Sequence, residues 1–168
     1  APTELLSYVS AFTSRARLGV AVLLTGVGSP VHFARSLNTL DHLCGGRLDI
    51  GLGAGEATEC ERYGLDVETR GQRFDETVRI MKRLWTEKVV TFEGAVHTVR
   101  GAGLRPPTVQ QPHPPLYFGG RVPAARRRAV ELGDGFIGAG ATSTRDFAQH
   151  VQHLRGLLAA AGRPPGSF

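Results

Sequence analysis

The chain has 168 residues, enough for one ordinary domain with a real core. Its 41% hydrophobic and 21% charged content excludes a disordered or fibrous chain, and no apolar run approaches a membrane span. The net charge is +5, with a basic run "RVPAARRRA", but no aromatic recognition motif accompanies it, so nucleic acid is not expected as a partner.

The chain opens at "APTELL", without Met or a secretion-type leader, and the expectation is a cytoplasmic piece of something longer. Leu5, Leu6, Val9 and Phe12 recur at helical spacing over 3–13. "ARLGVAVLL" (16–24) is a continuous apolar run bounded by turn residues, as in a strand buried on both faces. "SPVHFARSLNTLDHLCGG" reads as a helix, with Ser29 at the N-cap, Pro30 at its first position, and Gly45-Gly46 ending it. Its apolar face carries Phe33, Leu37, Leu40 and Cys44.

"RLDIGLG" (47–53) is a second buried strand, followed by a polar loop. Over 70–87, Phe74, Val78, Met81 and Trp85 keep helical register. "VVTFEGAVHTV" (89–99) predicts a hairpin turning at Glu93-Gly94. The five prolines of 103–115 rule out regular structure there and leave a surface loop. A third strand, "PLYFGG" (115–120), a helix over 123–132, a fourth strand, "DGFIGAG" (134–140), and a last helix follow. That last helix places Phe147, Val151, Leu154 and Leu158 on one face, and His150 and His153 on the other.

Strands alternating with helices predict an α/β fold with a parallel sheet. A doubly wound sheet and an eightfold barrel both meet that description. A complete barrel takes about 250 residues, so the barrel reading makes this chain a fragment.

Chemistry is sought first in "GLGAGE", where Gly51, Gly53 and Gly55 stand at every second position. Glu56 occupies the place of the third glycine in a dinucleotide fingerprint, and an acid there repels a pyrophosphate. Three glycine-rich exits, at 53–55, 119–120 and 138–140, follow strand ends, where both folds put active sites. Glu56 is either a helix-terminal acid favoured by the macrodipole or a proton donor or acceptor beside a redox centre. Thr142 and Ser143 are caps or phosphate contacts. Three arginines in a row read as a solvated helix face, or as the neighbour of an anionic ligand. The six histidines do not cluster, and Cys44 and Cys60 have no metal or redox spacing, which leaves two reduced thiols.

"SRARLGVAVLL…SPVHFARSLNTLDHLCGGRLDIGLGAGE", with "YGLDVETRGQRFDETVRIMKRLWTEKVVTFEGAVHTV" and "AVELGDGFIGAG", resembles the bacterial-luciferase-like superfamily. The resemblance implies a partial TIM (β/α)8 barrel, with about four of eight parallel strands in one domain over 1–168, incomplete at both ends. It also implies that 89–115 is an excursion between barrel elements. An open half-barrel leaves sheet edges that must pair with something, so the fragment alone is expected to have little activity. "G-x-G-x-G-E-A" is similar to enzymes using coenzyme F420, which implies hydride transfer to or from a small organic substrate. Glu56 matches their catalytic glutamate. Ala21, Val22 and Leu23 match residues passing along the cofactor ring, with Gly53 and Gly55 at the same mouth. Gly119 and Gly120 match contacts to its ribityl-phosphate side. Two positions depart from the pattern: Glu59 replaces an asparagine, and Thr142 replaces a phosphate-binding lysine. An FMN-dependent monooxygenase using reduced flavin and oxygen, and a non-catalytic flavin-binding relative, are the alternatives; a homo-oligomer without bound metal is expected.

Overall fold

Four short apolar strands line up in parallel because each is returned to its starting end by a helix, in the computed structural model, which describes residues 2–140, 142–164 and 166–168. The helix α1 (Pro2–Ser10) leads into β1 (Leu18–Leu24), a single 3-10 turn and α2 (Pro30–Leu43). Then come β2 (Leu48–Gly53), a short α3 (Ala57–Arg62) and the long α4 (Arg70–Thr86). A hairpin of β3 (Val90–Glu93) and β4 (Thr98–Ala102) precedes β5 (Leu116–Gly119), α5 (Pro123–Leu132), β6 (Gly135–Ile137) and α6 (Thr144–Ala160). The main sheet has the order β1-β2-β5-β6, all parallel, and the hairpin is a separate antiparallel pair.

The core lies between this sheet and the helices. Leu37 and Leu40 of α2 and Phe74, Val78, Met81 and Trp85 of α4 are buried against Leu48, Ile50, Leu52, Leu116 and Phe118. Phe74 and Phe118 meet edge-on with centroids 4.9 Å apart. Trp85 keeps its indole N–H satisfied by donating to the Ala34 carbonyl at 3.1 Å. Both cysteines are buried and free.

Several sequence expectations are corrected. Residues 57–62 form α3 rather than continuing a loop, because Cys60 supplies a buried anchor there. The hairpin turns over Gly94–His97, and its second strand runs to Ala102. Leu5 and Phe12 of the first helical segment are exposed, while Leu6 and Val9 pack on the core. Ser29 holds the N-cap position of α2 without a side-chain capping bond.

The segment between α4 and β5 is fastened by two buried carboxylates. Glu76 of α4 accepts from the backbone N–H groups of Ala95, Val96 and His97 at 2.8–3.0 Å, seating the hairpin turn. Asp41 of α2 is wholly buried and accepts from the N–H groups of Val109 and Gln110 and the Gln110 side-chain amide. These donors satisfy a loop whose prolines exclude a regular ladder. The chain is thereby delivered to β5, where Ile50 N–H bonds to the Pro115 carbonyl at 2.9 Å.

Candidate functional site

At the mouth of the sheet the first element is a β-bulge. Val20 pairs with Ile50, but Leu23 pairs with Leu52, so β1 carries one extra residue across that interval. A bulge changes which face the following side chains take. Leu18 starts the strand buried, and strict alternation would then turn Leu23 outward; instead Leu23 joins the core, and Ala21 and Val22 are exposed. The peptide bond between Ala21 and Val22 is cis.

Val22 lies over the neighbouring strands. A β-carbon at Gly53 would stand 2.7 Å from its Cγ2, and one at Gly119 would stand 2.9 Å from its Cγ1. These glycines therefore make room for a valine, which in turn presents an apolar, 39% exposed surface. The chain leaves β2 through Gly55 (φ +84°), where a side chain would meet Leu24 and Cys60. It leaves β5 through Gly120, whose β-carbon would meet Ala125. Thr25, buried after β1, donates to the Gly53 carbonyl at 3.3 Å and ties two strand exits together.

Glu56 follows at the N-cap of α3, with its side chain 74% exposed. Its carboxylate stands 3.7 Å from the Arg121 guanidinium, which comes from the loop after β5. Glu59 accepts from the Glu56 backbone N–H at 3.4 Å, so its carboxylate serves the start of α3. At the fourth strand, Ser143 caps α6 by accepting from the Asp146 N–H at 3.1 Å. Thr142 is half-buried, and its own N–H is engaged by the Ala139 carbonyl at 2.9 Å.

The structure thus brings together Ala21, Val22, Gly53, Gly119, Glu56 and, through its loop, Gly120. Leu23 is separated from them by burial with the helices, and Thr142 lies just before Ser143, the N-cap of α6. Sequence reasoning missed Arg121 and Arg126. Arg126 is only 6% exposed; it donates to the Arg121 carbonyl at 3.0 Å and to His153 Nδ1 at 3.0 Å. The arginine run is thus a solvated face only in part: Arg127 is exposed, while Arg128 pairs with Asp75 at 2.6 Å. On α6, His153 is exposed and accepts from Arg126, in keeping with a polar face, whereas His150 is half-buried and meets Phe136 edge-on. The signal was the arginine run itself, directly behind a glycine-rich strand exit.

No group of three or more His, Cys, Asp or Glu with metal-binding geometry occurs among the described residues. No helix is long and apolar enough to cross a membrane among the described residues. What the mouth offers is an exposed aliphatic platform flanked by one carboxylate and one guanidinium. That donor set fits the face of a flat, largely apolar ring with a proton-exchanging group at its edge.

Comparison with known proteins places the fold. The sequence model of a family described as luciferase-like monooxygenase matches residues 1–168. The chain is 34% identical to an F420-dependent glucose-6-phosphate dehydrogenase of Kineococcus radiotolerans, covering 100% of this chain and 51% of that protein. It is 31% identical to an FMNH2-dependent dimethylsulfone monooxygenase of Pseudomonas putida, covering 85% and 40%. A coenzyme F420-dependent tetrahydromethanopterin reductase from Methanopyrus kandleri superposes with a TM-score of 0.88 at 22% identity, over 99% of this chain and 52% of that one. The chain spans about half the length of the curated relatives it matches. Its four parallel strands are an arc of a TIM barrel.

Proposed function

Because this chain belongs to the luciferase-like monooxygenase family, we propose that it forms part of an oxidoreductase transferring hydride between coenzyme F420 and a small organic substrate. The observation that carries this reading is the position of Glu56. It is an exposed carboxylate at the lip of an apolar platform, at the end of a strand whose inner glycine is covered by Val22. The deazaflavin, when bound, supplies the hydride chemistry. Ala21 and Val22 give its ring an apolar seat. Gly119 and Gly120 keep the β5 exit free of side chains, and Thr142 offers a hydroxyl at the start of α6. Glu56 holds or moves the proton that accompanies hydride transfer, and Arg121 holds that carboxylate toward the mouth.

The first relative described above supports the deazaflavin, since its name carries that cofactor at 34% identity. A second reading, reduced FMN with oxygen, is favoured by the monooxygenase relative at 31% identity. Fluorescence titration of the intact protein with F420 and with FMN separates the two. Preferential F420 binding, with substrate-dependent F420 reduction and no oxygen uptake, is the expected result. Preferential FMN binding with oxygen consumption would overturn the leading reading.

A further inference from the structure

The short helix α3, which carries Glu56 at its start, is joined to the rest of the fold by very little. Ala57, Thr58, Glu59, Glu61 and Arg62 are exposed, and Cys60 alone is buried. Cys60 lies outside the main core; its thiol sits against Gly55 and donates to the Ala54 carbonyl at 3.7 Å. Leu65, just beyond the helix, is half-buried beside Gly26.

The hydrogen bonds of this segment are self-contained. At one end Glu59 accepts from the Glu56 backbone N–H. At the other, the Gly64 and Leu65 N–H groups donate to the carbonyls of Glu61 and Cys60 at 3.0 and 2.9 Å. Among the described residues, every hydrogen bond made by residues 56–64 closes within 54–65. Their one ion pair with the rest of the fold, again among the described residues, is Glu56 with Arg121. At 3.7 Å, with both side chains mostly exposed, it contributes little in water. Raising the segment therefore breaks no hydrogen bond to the sheet and uncovers one small buried side chain of its own.

Pivots flank it. Gly55 (φ +84°) precedes Glu56 with the backbone freedom of a residue that lacks a β-carbon. On the far side the turn at 66–69, whose Asp66 side chain accepts from the Glu68 N–H at 2.9 Å, leads into α4. We propose that residues 56–64 form a flap at the mouth, swinging as one body about Gly55 and the 66–69 turn and carrying Glu56 with it. Lifted, the flap widens the opening for a flat ligand; seated, it brings the Glu56 carboxylate to that ligand's edge. The swing is independent of the ligand, whereas closure on a deazaflavin or flavin rests on the function proposed above.

Cys60 reports the motion, because its thiol is covered while the flap is seated. Labelling the intact protein with a maleimide, followed by mass spectrometry of the separate peptides, compares it with Cys44, which is buried within the main core. Cys60 is expected to react about 100-fold faster or more, at a rate nearly independent of low urea concentrations. Gly64→Ala separates a swing from unravelling, since φ of +65° strains an alanine there although its β-carbon has open space. A swinging body keeps that strain in both positions, so labelling proceeds at the parent's rate; unravelling relieves it and speeds labelling about fivefold or more. F420, or FMN in a parallel arm, slows Cys60 labelling about tenfold at ten times its dissociation constant, because it holds the seated form. Labelling of both cysteines at one common rate that rises steeply with urea would overturn the flap, as would faster labelling in Gly64→Ala. Cofactor binding seen by fluorescence without slower labelling would overturn its closure on the ligand. Absence of any cofactor binding would count against the hydride-transfer reading instead, with the swing decided by the urea series and the Gly64 variant.

Discussion

Val22 occupies the space that a side chain on Gly53 would need: its Cγ2 would lie 2.7 Å from a β-carbon there. The apolar seat at the mouth therefore depends on a residue chosen for having no side chain. Gly53→Ala pushes Val22 off that seat, with a destabilisation of about 1–3 kcal/mol typical of overpacking, read from urea unfolding. Cofactor affinity falls with it. Adding Val22→Ala restores stability, and a single Gly53→Ala variant with unchanged affinity would show that Val22 is no part of the seat.

Glu56→Gln keeps size and removes the ionisable group. At an exposed N-cap the expected cost in stability is small, while turnover falls about 100-fold or more, the range for loss of a general acid or base. Cofactor binding measured by fluorescence stays near that of the parent. Parent-level turnover would leave Glu56 with only its place at the start of α3.

Asp41→Ala deprives three buried or half-buried donors of their acceptor. The expected loss is about 3 kcal/mol in chemical denaturation, with faster proteolysis between residues 103 and 115. A variant as stable and as protease-resistant as the parent would mean that the loop is held by other contacts.

Acid should release the hairpin in two stages. Burial pushes His97 below its ordinary value of 6.5, and nearby Arg73 adds to this, against a smaller opposing pull from Glu76. Folding thus favours neutral His97, and its contribution is complete above pH 6.5 and declines as pH falls toward the lowered value. Burial pushes the Glu76 carboxyl upward, but hydrogen bonds from His97, Val96 and Ala95 outweigh it and hold the group below 4.5. Its contribution is complete above 4.5 and is lost as pH falls through the lowered value. Hydrogen exchange of the 94–97 amides across pH 7 to 3 should rise in both windows. His97→Gln removes the upper stage and Glu76→Gln the lower one; an exchange profile, corrected for intrinsic rates, that is flat throughout would contradict both assignments.

Strand and helix alternation was legible because each element carries its own punctuation. Pro30 and Pro123 open helices, Gly133 ends one, and the apolar spacing of 74, 78, 81 and 85 marks the buried face of α4. The luciferase-like barrel was legible from motifs in order along nearly the whole chain. The bulge between Val20 and Leu23 was not, since a run of uninterrupted aliphatic residues carries no sign of parity. Nor were Asp41 and Glu76 distinguishable from surface acids on amphipathic helices, because their partners are backbone N–H groups, which have no sequence signature. Arg121 was hidden for a related reason. Its position depends on a carbonyl held by Arg126, not on a neighbouring side chain.

That carbonyl contact couples distant stretches of the protein. Arg126 is gripped on one side by His153, in the middle of the last helix, and on the other reaches the backbone of Arg121 at the mouth. Sliding or exchanging α6 therefore moves a charge beside Glu56 without altering any residue that lines the opening. In grafting loops or helices between relatives, α6 and the 119–123 turn have to travel as one unit.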